Sequence, residues 1–232
     1  MTSERISVSV SDGFFDAYLS LPPQEEGPGV LVIPEIFGVN EHIRSIADKI
    51  AAEGYVVLVP DLFWRMKPNI ELGYEGDDLK TALNYYERFD ENEGMSDLRH
   101  AANALRNHKA CTGRIGSIGF CLGGKLTFRL SAQTNLNVAI SYYGGKTEKH
   151  LAEADKIKCQ LMMHFGDQDD SIPEKAFNQI KEALDIKPNV TIYRYEGVGH
   201  GFNCDARASY DKDAAELAWS RSIELLNKEL KS

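Results

Sequence analysis

Six short runs of this sequence are largely apolar: VLVI (30–33), VVLV (56–59), RIGSIGF (114–120), VAISYY (138–143), QLMMHFG (160–166) and VTIYRY (190–195). Runs that offer apolar side chains to both faces suit strands buried inside a parallel sheet. Segments with helical spacing accompany them, at 41–53, 77–89, 96–108, 121–133, 173–185 and 211–230. Asn40 stands ready to cap the first, Pro173 suits the first turn of the fifth, and Leu217, Trp219, Ile223 and Leu226 supply apolar positions on the last. Such alternation predicts a doubly wound, mostly parallel α/β sheet with helices on both faces. Ahead of it, ISVSV (6–10) and FDAYLS (15–20) flank Ser11-Asp12-Gly13, which reads as an antiparallel hairpin. A chain of 232 residues fits one such domain, 1–232, with a core that needs neither disulfides nor metals.

Bulk properties narrow the function. The net charge is -9, which argues against a nucleic-acid surface built from clustered Lys and Arg. No basic start runs into an apolar stretch, and no window has the length to span a bilayer, so a cytoplasmic protein with no membrane partner is expected. Cys111, Cys121, Cys159 and Cys204 form no CxxC pair and no zinc spacing. His200 and Cys204, four apart, are too few ligands for zinc. No metal and no cofactor are expected, and nothing in the sequence demands more than a monomer.

In an α/β sheet of this kind, ligands sit at the carboxyl ends of the strands. The stretch GRIGSIGFCLGGK (113–125) ends one strand and admits two readings. Gly119-x4-Gly124-Lys125 approaches a phosphate-binding loop. That loop needs Ser or Thr directly after the Lys, and Leu126 stands there. Alternatively, Gly119-Phe-Cys121-Leu-Gly123 is a G-x-C-x-G nucleophile elbow with Cys in place of Ser. A strained strand-to-helix turn would lift the Cys121 sulfur above the sheet and turn the Leu122 N–H toward the same space as an oxyanion donor. The helix end would favour a thiolate. A buried, inert cysteine in a glycine-rich turn is the bland alternative.

Two later strand ends supply partners in the order nucleophile, acid, histidine. The acids lie in GDQDDSIP (166–173), where Asp167, Asp169 and Asp170 compete, and each could instead cap a turn. The histidine is His200, between Gly199 and Gly201 after VTIYRY. His42, His100, His108 and His150 read as solvated, and His164, inside a strand, as core.

With PEIFG (34–38), PDLFWR (60–65), GFCLGG (119–124), GDQDDSIP (166–173) and GHGF (199–202), the sequence resembles the dienelactone hydrolase family within the α/β-hydrolase fold. The resemblance implies Cys121 as nucleophile, His200 as general base and Asp169, four residues before Pro173, as its orienting acid. It implies that Glu35 assists thiolate formation when substrate is bound, and that the Ile36 N–H is the second oxyanion donor. It also implies arginines for a substrate carboxylate. Arg207 matches one, but residues 66–87 contain no arginine, which leaves only Arg65 and Arg88 beside that stretch. Phe37, Trp64, Tyr85 and Tyr143 are candidate pocket walls, with core packing as the alternative for each. The reaction expected is cleavage of a small-molecule ester or enol-lactone through an acyl-enzyme. A general carboxylesterase or thioesterase, or a binding protein that kept the pocket and lost the chemistry, are the rivals.

Overall fold

The computed structural model describes residues 2–232 and contains an eight-stranded sheet in the order β1-β2-β4-β3-β5-β6-β7-β8. The strands are β1 Thr2–Val10, β2 Gly13–Leu21, β3 Gly27–Ile33, β4 Val56–Pro60, β5 Cys111–Phe120, β6 Val138–Tyr142, β7 Gln160–Gly166 and β8 Val190–Tyr195. The helices are α1 Glu41–Ala52, α2 Gly76–Arg88, α3 Glu91–Arg106, α4 Leu122–Gln133, α5 Glu174–Leu184 and α6 Lys212–Leu230. A 3-10 segment, Thr147–Lys156, has no counterpart in the sequence-based expectation. The chain clusters into two compact units, one ending at Ile115 and one running from Gly116 to Ser232, so the boundary falls inside β5.

In the first unit, β1 and β2 form the hairpin, in register from Thr2↔Leu21 to Val10↔Gly13. β2 pairs antiparallel with β4, and β4 parallel with β3. β3 and β4 are buried along their whole length, as apolar runs without alternation require. α1 packs Ile43, Ile46, Ala47, Ile50 and Ala51 inward, and the Asn40 side chain caps it by accepting from the Ile43 N–H at 3.2 Å. His42 is a correction: it is buried on α1 with its ring edge toward Tyr74, because position 42 falls on the helix's inward face.

In the second unit, β5 to β8 are parallel neighbours. α4 is buried from Leu122 to Ser131, including Lys125 and Arg129. Arg129 and Gln133 share the carboxylate of Glu153, at 3.0 and 2.9 Å. On α6 the inward stripe is Ala214, Ala218, Ser222, Leu226 and Leu230, while Leu217 is 47% exposed. Small residues at four-residue spacing let this helix approach the strands closely, so its most hydrophobic positions do not all mark its buried face.

The close approach of α4 to β5 depends on Gly119. A Cβ there would collide with the Gly123 carbonyl and the Thr127 hydroxyl. Gly119→Ala is expected to lower folding stability by about 3 kcal/mol, the upper range for overpacking against backbone. Urea unfolding checks this, and an unchanged midpoint would contradict it.

Candidate active site

Cys121 joins β5 to α4 with φ 55° and ψ -115°, a conformation costly for a residue with a Cβ. The turn is held at three points. The Cys121 N–H donates to the Tyr142 carbonyl at 3.0 Å, and the Cys121 carbonyl accepts from the Gly124 and Lys125 N–H groups at 3.0 and 3.3 Å. Gly124 leaves room for the backbone of Tyr142 and Gly144, where a Cβ would intrude. Leu122 opens α4 directly behind the sulfur. The first N–H groups of a helix, here those of Leu122 and Gly123, lie ahead of these capping bonds, so they offer donors and the positive end of the dipole.

β7 delivers Asp169. Its side chain is fully buried, with Oδ1 accepting the Ser171 N–H at 2.8 Å and Oδ2 accepting from His200 Nδ1 at 2.8 Å. This contact makes Nδ1 the protonated nitrogen and leaves Nε2 toward the sulfur. Asp167 is engaged elsewhere: its carboxylate accepts the Gly197 N–H at 2.7 Å and ties the turn after β8. Asp170 is exposed. β8 leads to His200, whose side chain is 17% exposed and shares a hydrogen bond with Cys121. Burial on its own would lower the His200 pKa. Whenever Cys121 is ionised, its charge and the hydrogen bonds with Asp169 and Cys121 outweigh burial and hold the His200 pKa well above the ordinary histidine range.

Tyr143 is fully buried, has φ 39°, and meets His200 edge-on with ring centroids 5.1 Å apart. Arg207 packs its guanidinium on Gly201, where a Cβ would lie 2.6 Å from Nη1, so the cation sits one residue from the histidine.

The remaining candidates lie in the first unit. Glu35, Ile36 and Phe37 follow β3 and are buried. Phe37 packs against Tyr74 at 4.5 Å, and its carbonyl accepts the Leu72 N–H at 3.0 Å. Tyr85 is half-buried on α2 against Phe63. Trp64 donates from Nε1 to Asp97 at 2.8 Å and lies beneath the Arg65 guanidinium. Arg65 pairs with Asp12 at 2.6 Å and Asp97 at 2.9 Å. Asp97, which the sequence reading passed over, is a buried acid on α3 whose only signal was its place on the inward face of a helix. Among the described residues, no group of three or more His, Cys, Asp or Glu could hold a metal, and no helix is long and apolar enough to cross a membrane.

Residues 15–230 match the model of the dienelactone hydrolase family. A carboxymethylenebutenolidase from a Pseudomonas species is 32% identical over 231 residues, covering 98% of this chain and 96% of that protein. Carboxymethylenebutenolidase 1 from Cupriavidus pinatubonensis is 33% identical over 228 residues, covering 97% of each. A crystal structure from Klebsiella pneumoniae, provisionally described as a dienelactone hydrolase, superposes with a TM-score of 0.86 at 26% identity, covering 98% of both chains. With its fold and nearly all of its length matched, this chain belongs to the dienelactone hydrolase family.

Proposed function

We propose that the 232 residues act as one hydrolase domain that cleaves an ester or enol-lactone through a covalent intermediate on Cys121. The observation that carries the reading is the contiguous set in the second unit: a cysteine forced into a left-handed turn at a helix start, sharing a hydrogen bond with a histidine whose far nitrogen is held by a buried aspartate.

The Cys121 sulfur attacks the carbonyl carbon, and the Leu122 N–H stabilises the oxyanion. The carbonyl then re-forms and the C–O bond to the leaving oxygen breaks, giving a thioester and an alkoxide or enolate. For a lactone the leaving oxygen stays tethered to the acyl group. The imidazolium of His200, formed when the Cys121 thiol proton passes to Nε2, gives that proton to the leaving oxygen. The neutral Nε2 then takes a proton from water, whose oxygen attacks the thioester, and the sulfur departs and regains the proton to leave the free acid. Asp169 keeps the imidazole in the tautomer this requires. The roles that the family resemblance implies for Glu35 and Ile36 are retained as part of the proposal.

The substrate's charge is the point on which a second reading rests. Arg65, the arginine just before the arginine-free stretch, already pairs with Asp12 and Asp97. This favours an ester less acidic than dienelactone, with Arg207, packed against Gly201, as the candidate cation for any substrate charge. Turnover of cis- and trans-dienelactone beside an uncharged aryl ester separates the two. Dienelactone turnover that falls in Arg207→Ala supports the acidic lactone, and aryl-ester turnover alone supports a general esterase.

Cys121→Ala is expected to lose about a thousandfold or more in kcat/KM while unfolding at the wild-type midpoint. Wild-type turnover in this variant would overturn the mechanism. Asp169→Asn is expected to lower kcat by about 10³- to 10⁴-fold through the wrong histidine tautomer, whereas Asp167→Asn changes it less than about tenfold. Equal losses would place the orienting acid elsewhere. Iodoacetamide labelling of Cys121 near neutral pH is expected to slow about tenfold or more in His200→Gln. An unchanged rate would detach the sulfur's reactivity from His200.

A further inference from the structure

Behind the proposed triad lies a buried polar cluster that the chemistry above leaves unused. Tyr142 ends β6, His164 lies in β7, Tyr195 ends β8, and Ser222 sits on the inward stripe of α6. Tyr142, His164 and Ser222 are fully buried, and Tyr195 is 6% exposed. Tyr195 Oη lies 2.9 Å from His164 Nδ1, His164 Nε2 lies 3.2 Å from Ser222 Oγ, and Tyr142 Oη lies 2.7 Å from the same Oγ. Arg221 Nη1 lies 3.2 Å from Tyr195 Oη, and Ser222 Oγ lies 2.8 Å from the Ala218 carbonyl.

The two ends of this chain fix every proton in it. A guanidinium can only donate, so Tyr195 accepts from Arg221 and keeps its own proton for His164 Nδ1. A carbonyl can only accept, so the Ser222 proton goes to Ala218, and Oγ accepts from both Tyr142 and His164 Nε2–H. Each member then has its hydrogen bonds, in one direction only, from Arg221 to the Ala218 carbonyl. Burial, with the Arg221 charge adding to it, pushes the His164 pKa down to about 3, so the neutral imidazole this order needs persists at neutral pH.

The same three strand residues hold the site with their main chains. The Tyr142 carbonyl accepts the Cys121 N–H at 3.0 Å. The His164 carbonyl accepts the N–H of Tyr143, whose ring meets His200, at 2.8 Å. The Tyr195 carbonyl accepts the N–H of Asp167, at the head of the loop that presents Asp169, at 3.0 Å. Given the Cys121 reading on which this rests, we propose that Tyr142, His164, Tyr195 and Ser222 form a proton-ordered brace that positions the nucleophile, the acid and the histidine relative to one another.

These are positioning residues, and single-atom deletions test them in the full chain. Tyr142→Phe, Tyr195→Phe and Ser222→Ala each remove one hydroxyl. Turnover of whichever ester the wild type cleaves is measured well below each variant's own Tm, per mole of Cys121 titrated by iodoacetamide. Each folded variant is expected to lose about tenfold or more in kcat with KM within about twofold, as a displaced reacting atom requires. A kcat within about twofold of wild type, with only Tm lowered, would make the cluster a stability element and overturn the proposal. So would a change confined to KM. Cys121→Ala runs in parallel: full activity there would sink the nucleophile reading, whereas an inactive Cys121→Ala beside fully active hydroxyl deletions would sink the brace alone.

Discussion

Cys121 must hold a backbone conformation that its side chain disfavours, at a cost of about 1–3 kcal/mol. Such a turn persists only when its surroundings leave no alternative. Gly119 and Gly124 remove the side chains that would keep β5, α4 and the backbone after β6 apart. The Tyr142 carbonyl and the first amides of α4 then fix the turn from both sides. The payoff is chemical: the sulfur stands at the positive end of a helix, beside His200, with Asp169 behind it.

The loop after β3 shows how the first unit meets a similar demand with side chains. Asn40 accepts the Ile43 N–H to cap α1 and donates to the Leu72 carbonyl and Tyr74 hydroxyl, both at 3.1 Å. Gly38, with φ 76°, allows the backbone to pass against Ile70. Arg5 and Arg44 pair with the two oxygens of Glu71, at 2.8 and 2.6 Å. The segment carrying Glu35, Ile36 and Phe37 is therefore flanked by backbone, amide and ionic contacts, and the Phe37 ring adds its packing on Tyr74.

The sheet was legible because burial on both faces writes itself as unbroken apolar runs, as in VLVI and VVLV, and all eight strands lie where such runs or the hairpin alternation predict them. The elbow was legible because glycines at 119 and 123 around a cysteine have few other uses. The buried face of α6 was harder to read, since Ala218 and Ser222 point inward while Leu217 faces water. His42 and Asp97 were misjudged or missed because a polar residue on an inward helix face gives no composition signal. The hydrogen-bonded cluster of Tyr142, His164, Tyr195 and Ser222 joins residues up to 80 apart, and no local pattern announces such a meeting. Residue type alone left Asp167, Asp169 and Asp170 in competition, and only the family spacing to Pro173 favoured Asp169; in the fold the hydrogen bonds of Asp167 and Asp169 go to Gly197 and to His200.

The central claim is a covalent bond between substrate and the Cys121 sulfur. Its most direct test is intact-mass spectrometry of the full chain, acid-quenched during turnover of a slowly released aryl ester and followed by peptide mapping. The account predicts a mass increase equal to the acyl group, carried by the peptide containing Cys121 and removed by hydroxylamine at neutral pH, as a thioester should be. A turning-over enzyme whose Cys121 peptide never gains mass, or whose acyl group maps to another side chain, would contradict it.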